Sequence, residues 1–301
     1  ASPLLVQPAG AITLTEKQGI NTALLASGAT IGQMNTVRKH LSRVKGGQLA
    51  AAAYPAKMLS LMISDVPGDD PAMIGSGPSV GDDSTPQDAR AILDRFDIAL
   101  PASVKSVLDG PTGVIPPGET GLSTVKNVIY AAPSQSLDAA ADLAKDHGVK
   151  VSLLSDALEG EAREIAKDHA QTALDLQNRM RPGDTPHLIL SGGELTVTRT
   201  GDGVGGPNAE YALALALSLQ GAPGIHAIAC DTDGVDGGAE VAGALIGPET
   251  LTMAASCRQN AQAALANNDA HGFFERTGGQ VITGPTLTNV NDFRAILVMP
   301  A

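Results

Sequence analysis

The chain has 301 residues, of which 43% are hydrophobic and only 2% aromatic, and its net charge is −12. So acidic a surface disfavours nucleic acid and anionic membrane, and an anionic substrate would need local positive charge or a metal ion. Cys230 and Cys257 are the only cysteines, which excludes a disulfide framework or a paired-cysteine metal site and fits a reducing, cytoplasmic setting.

At about 150 residues per domain, the length predicts two domains. The start, ASPLLVQPAGA, carries neither an initiator Met nor the charged head of a signal peptide, and reads as an abrupt beginning. No apolar run reaches the roughly 18 residues that a membrane span needs.

In chain order, residues 14–28 read as a helix stopped by Gly28, and 31–45 as a second helix with a basic end, stopped by Gly46-Gly47. Arg38, Lys39, Arg43 and Lys45 there suit an anion, or else the solvated last turn of a helix, where the dipole favours cations. Residues 57–64 are a short apolar run, read as a buried strand, which leads into the polar loop Asp65-Val66-Pro67-Gly68-Asp69-Asp70. Residues 86–97 look helical. Residues 110–121 are rich in Gly and Pro and read as the linker, dividing the chain into 1–118 and 119–301. Beyond it, strands at 125–132, 149–155, 187–191, 195–200 and 224–230 are interleaved with helices at 137–148, 161–177 and 208–218. Strands at 280–283 and 293–300 end the chain. This order predicts an α/β fold of two domains with largely parallel sheets flanked by helices.

Ligands of such sheets bind beyond the carboxyl ends of strands. Four strand ends here deliver glycines together with carboxylates or amides: Asp65 to Asp70, Gly192-Gly193-Glu194, Asp231 to Gly238, and Gly284 to Asp292 by way of Asn289. The Asp231–Gly238 loop is the strongest single feature. Asp231, Asp233 and Asp236 repel one another unless a cation screens them, and hard oxygen ligands suit Mg²⁺. The alternative is a turn, since Asp and Gly favour turns. Gly201, Gly203 and Gly206 match GxGxxG ahead of the 208–218 helix, which raises a dinucleotide site. Against it, the preceding strand alternates polar and apolar residues, and Asp202 would sit beside a pyrophosphate. A Gly-rich loop serving nucleotide phosphates, with Pro207 as first helical residue, stays open. The chain has no GxxxxGK[ST], which excludes a P-loop kinase, and no HExxH.

Six blocks in order resemble the class II glycerate 2-kinases, whose carboxy-terminal half is the MOFRL domain: NTVRKHLSRVKGG (35–47), ISDVPGDDP (63–71) with GSGP (75–78), SGGELTV (191–197), GVGGPNAEYALALAL (203–217), DTDGVDG (231–237) and TNVND (288–292). The resemblance implies two α/β domains with the active site in the cleft between them, the second MOFRL-like from about residue 187. It implies ATP, Mg²⁺ and D-glycerate, with phosphate transferred to the 2-hydroxyl. Some members are labelled hydroxypyruvate reductases, so an NAD(P)H-dependent reductase is the alternative. By resemblance, Asp65, Asp231, Asp233 and Asp236 are candidates for metal binding or general-base work. Arg38 and Lys39 would face the substrate carboxylate or the transferring phosphoryl group. Gly192, Gly193, Gly205, Gly206 and Asn208 would approach phosphates, and Ser191, Glu194, Thr232, Gly234, Asn289 and Asp292 complete the nucleotide set. Many relatives carry Arg where this chain has Pro207. They also carry an amino-terminal segment with a Gly-Ser-rich loop and a Lys, so the first part of the amino-terminal domain is expected to be missing from this sequence. The partners implied are small molecules, and a homo-oligomer stays open.

Overall fold

The computed structural model describes residues 4–66 and 68–301; Pro67, at the centre of the Asp65–Asp70 loop, lies outside the described residues. The chain divides into two compact units, Ala1–Met62 with Gly68–Tyr130, and Ile63–Pro67 with Ala131–Ala301.

The first unit contains α1 (Leu14–Ala26), α2 (Ile31–His40), α3 (Gln48–Ala53), β1 (Met58–Ile63), α4 (Pro86–Arg95), α5 (Ala102–Leu108) and β2 (Val125–Ala131). Three helix starts follow directly from sequence. Thr13 with Glu16, Thr30 with Gln33 and Thr85 with Asp88 form reciprocal capping boxes, each satisfying otherwise orphaned amide groups. The helices bury Leu24, Val37, Leu41, Leu93 and Val104 in one core. The helix expected over 31–45 stops at His40, and the chain turns through Gly46 and Gly47, both at positive φ. Lys39 and Lys45 are therefore buried, and only Arg43 of the basic stretch stays exposed as a solvated helix end would leave it. β1 pairs with β2, which draws residues 119–130 into the first unit. β1 is covered on one face alone: Leu59, Leu61 and Ile63 are exposed, against the expectation of a fully buried strand.

The second unit contains α6 (Pro133–Asp146), β3 (Lys150–Glu161), α7 (Ala162–Gln177), β4 (His187–Thr196), α8 (Pro207–Leu219), β5 (Ile225–Asp231), β6 (Gly243–Ile246), α9 (Thr250–Ser256), α10 (Ala261–Ala266), α11 (Ala270–Thr277), β7 (Gln280–Val281) and β8 (Asp292–Val298). Six strands form one sheet in the order β3-β4-β8-β5-β6-β7. The strand directions implied by the pairings put β3, β4, β5 and β7 parallel to one another, as expected, with β8 and β6 reversed. Within this sheet β3 and β4 pair parallel, and the last strand, β8, returns antiparallel between β4 and β5.

Side-chain alternation splits the sheet's contacts. Ile189 and Ile296 face α7 and α8, whose Ala166, Leu213 and Leu215 share their core, while Leu190 and Ala295 face Leu137 of α6. β4 runs unbroken through Gly192 and Gly193, where a chain break and a second strand were expected. The reason is steric. β3 carries irregularities on either side of Ser155, and a β-carbon on Gly193 would lie 2.1 Å from the Leu158 nitrogen.

The core also holds a titratable group. His169 of α7 is buried, with Nδ1 2.7 Å from the Tyr211 hydroxyl. Burial, and then the Arg294 guanidinium, push its pKa down from 6.5 to about 4. The unfolded chain would take up the proton first, so His169 contributes stability that is complete above about pH 6.5 and lost as pH falls through 4. That loss is expected to reach about 3 kcal/mol. Denaturant unfolding at pH 7 and below pH 4 should show a smaller acid loss for His169→Gln than for the wild type.

Candidate active site

Asp231 ends β5 directly opposite Asp292, which begins β8, and Gly193 of β4 lies opposite the same Asp292. One end of the sheet thus gathers Glu194, Asp231 and Asp292. Their electrostatics are shared. Burial raises Asp231 to about 7; Asp233 and Asp292 add negative charge, and the Asp233 N–H donated to Asp231 at 2.9 Å opposes the rise. Burial also raises Glu194, reinforced by Asp292, Asp65 and Glu159. Asp292 is raised by burial even though Arg294, Asn208 and the Leu195 amide all donate to it. Burial thus holds three carboxyls above their ordinary range at one end of the sheet, with repulsion adding to it at Asp231 and Glu194.

Neighbouring loops fix this cluster. The Thr232 hydroxyl donates to the Asn291 carbonyl at 2.7 Å and accepts the Val290 N–H at 2.9 Å. Asp233 accepts the Val235 N–H at 2.7 Å, and Asn289 reaches its other oxygen at 3.4 Å. Asn291 donates to the Asp65 carbonyl at 3.0 Å, which brings Asp65 to the same end of the sheet. Gly234 sits at φ +94°, where a β-carbon would meet the Gly284 carbonyl at 2.2 Å. Asp65, Glu194, Asp231, Thr232, Asp233, Gly234, Asn289 and Asp292 therefore lie at one end of the sheet.

Asp236 is not. Its carboxylate is 0% exposed and turned into the protein. Oδ1 accepts the Asn208 N–H at 3.0 Å, Oδ2 accepts the Ala209 N–H at 2.8 Å, and His271 Nε2 lies 3.0 Å from Oδ2. It caps α8 from 28 residues away in sequence. The expected three-aspartate metal cluster is accordingly reduced to Asp231 and Asp233, and among the described residues no group of three or more His, Cys, Asp or Glu is placed to hold a metal ion.

The same cap corrects the reading of the glycine-rich loop. The α8 amides that would receive a pyrophosphate are already taken by Asp236. Gly201 and Gly203 pack against Asn267 and Asp269, Gly205 against the Asn268 carbonyl, and Gly206 against Asp236, each too closely for a β-carbon. Asn208 is buried, with Nδ2 donating to Asp292 at 2.6 Å. Gly206 and Asn208 thus build the loop and are not exposed to a phosphate. Ser191, Gly192 and Gly193 are likewise buried inside β4, and what they present is Glu194. Pro207 opens α8 as expected of a first helical residue.

Sequence reading missed Arg294. It is 1% exposed, pairs with Asp292 at 2.9 Å and donates to the Gly192 and Gly193 carbonyls at 2.6 and 3.3 Å. The signal was present: one Arg within the apolar run FRAILVMP.

In the first unit, Arg38 is half-buried and donates to Asn21 at 2.8 Å and Asn35 at 3.3 Å. Lys39 is only 4% exposed and ion-paired with Asp82. Its expected place facing a substrate is thus corrected: it holds the fold, and Arg38 is the more accessible of the two.

Residues 1–109 match the family described as "Domain of unknown function (DUF4147)", and residues 187–292 match the MOFRL family. The chain is 37% identical over 291 residues to the D-glycerate 2-kinase of Thermotoga maritima, covering 97% of this chain and 68% of that protein. An Agrobacterium vitis protein provisionally named a hydroxypyruvate reductase is 51% identical over 99% of this chain and 68% of its own length. The crystal structure of the Thermotoga maritima glycerate kinase matches with a TM-score of 0.89 at 37% identity, over 97% of this chain and 69% of that one.

Proposed function

This chain belongs to the class II glycerate 2-kinases, and from that premise we propose that it transfers the γ-phosphoryl group of ATP to the 2-hydroxyl of D-glycerate, giving 2-phosphoglycerate and ADP. The observation that carries the reading is Asp231, half-buried at the end of β5 beside Asp233 and raised to about 7. Such a carboxylate is poised to accept a proton near neutral pH. Asp231 takes the proton of the 2-hydroxyl as its oxygen bonds to the γ-phosphorus. The bond from that phosphorus to the bridging oxygen breaks, and the electron pair leaves with ADP. Transfer of this kind depends on positioning and charge neutralisation more than on a protein nucleophile.

Magnesium fits the donor set, since hard oxygens of one or two carboxylates plus substrate phosphates are its usual ligands. Asp233 would hold it, and when bound it supplies positive charge to the phosphates. Glu194, Thr232, Gly234, Asn289 and Asp292 shape the nucleotide side of the site. An ATP-using enzyme with two free cysteines fits the cytoplasm, and no helix among the described residues is long and apolar enough to cross a membrane.

The reductase reading has the Agrobacterium vitis name in its favour and the occupied α8 amino terminus against it. The two separate cleanly. Incubation with hydroxypyruvate and NAD(P)H is expected to leave the nicotinamide unoxidised. Oxidation without ADP release in the parallel ATP and D-glycerate reaction would restore the reductase.

A further inference from the structure

Between α1, α2 and the segment before α1, the first unit forms a solvent-open pocket of about 600 Å³. Lys17, Arg38 and Lys45 line it together with Asn21, and among the described residues no Asp or Glu does, in a chain where acidic residues outnumber basic ones 32 to 20. Its remaining wall is largely apolar, with Leu24 and Val37 prominent. Lys45 is 3% exposed and donates to the Gly75 carbonyl at 2.7 Å. Burial, and then the charges of Lys17 and Arg38, push it down to about 8. Burial also lowers Lys17 and Arg38.

These cations are not arranged by chance contact with solvent. The bonds from Arg38 to Asn21 and Asn35 fix the plane of its guanidinium while leaving its charge uncompensated by those neutral amides. Lys17 donates to the Val6 carbonyl at 3.2 Å, again a neutral partner. Cations that repel one another across the pocket raise the free energy of the folded state, and an anion bound among them reverses the sign of that term.

We propose that this pocket is an oxyanion site, which takes the carboxylate or phosphate of an organic anion at Lys17, Arg38 and Lys45. The apolar body of the ligand lies against Leu24 and Val37. The identity of the ligand rests on the kinase reading, because glycerate and ATP both carry this chemistry; the anion site itself does not depend on turnover.

The test uses the whole chain, free of divalent metal, titrated separately with inorganic pyrophosphate, D-glycerate and ATP. Isothermal titration calorimetry gives the affinity, and a ligand-dependent rise in Tm reports binding to the folded state. At least one probe is expected to bind. Lys17→Gln and Arg38→Gln should each weaken it by about tenfold or more, as loss of a charge-assisted contact does. Lys167→Gln, which removes an exposed cation from α7, should leave it unchanged. Binding of D-glycerate alone identifies the carboxylate source, and binding of pyrophosphate and ATP the phosphate source. If none of the three binds, or if Lys17→Gln binds as the wild type does, the site is refuted. Should Arg38→Gln fail to fold, Lys17→Gln, a half-buried position, decides. Absent turnover with binding retained would count against the kinase reading and leave this site standing.

Discussion

Asp231→Asn is expected to lower turnover of D-glycerate by about a thousandfold, in the middle of the range that a positioned proton acceptor supplies. The amide keeps the volume of the carboxylate and an oxygen to accept the Asp233 N–H. What it loses is the negative charge that accepts the hydroxyl proton. The fold should not suffer. The Asp231 carboxyl is raised in the folded state, so its ionised form is less favourable there than in the unfolded chain, and removing it relieves repulsion with Asp233 and Asp292. Tm is therefore expected to stay level or rise as activity falls. A loss of activity accompanied by a lower Tm would place Asp231 among the structural residues.

Asp236→Ala is expected to do the reverse. Both oxygens of this fully buried carboxylate are engaged, and its removal strands two α8 amides and the facing nitrogen of His271. Deleting one partner of a buried, charge-assisted network costs about 3–5 kcal/mol. Urea unfolding should show that loss as a lower midpoint at unchanged slope. Asp236→Asn, which keeps one acceptor, should lose distinctly less. A midpoint within experimental error of the wild type for Asp236→Ala would mean that α8 is not held by this cap. The two aspartates, five residues apart in one acidic loop, thus separate chemistry from stability.

That separation was not legible in the sequence. Asp231, Asp233 and Asp236 look alike in DTDGVDG, and nothing local distinguishes a solvent-facing carboxylate from one that caps a helix begun at Pro207. The deciding partners, Asn208 and Ala209, are brought in by tertiary packing. The glycine loop shows the same limit. GxGxxG records where a backbone must approach closely, and the motif cannot tell whether the approaching group is a pyrophosphate or the Asn267–Asp269 turn. What was legible rested on short-range rules. The α1, α2 and α4 starts follow from their capping pairs, and the strand-to-loop junctions at Asp65 and Asp231 from apolar runs giving way to glycine and carboxylate. The insertion of β8 between β4 and β5 could not be read, because strand order depends on pairings between distant segments. Lys39 and Lys45 misled for a related reason: a basic run looks solvated until Asp82 and the Gly75 carbonyl are folded onto it.

The measurement that bears most directly on the account is ADP release from ATP in the presence of D-glycerate and Mg²⁺, with the position of the new phosphate read by phosphorus NMR. ADP release that requires D-glycerate, stops on chelation of Mg²⁺ and yields 2-phosphoglycerate in equal amount is the predicted result. ADP release indifferent to D-glycerate, or none at all from a folded protein that binds both substrates, would contradict it.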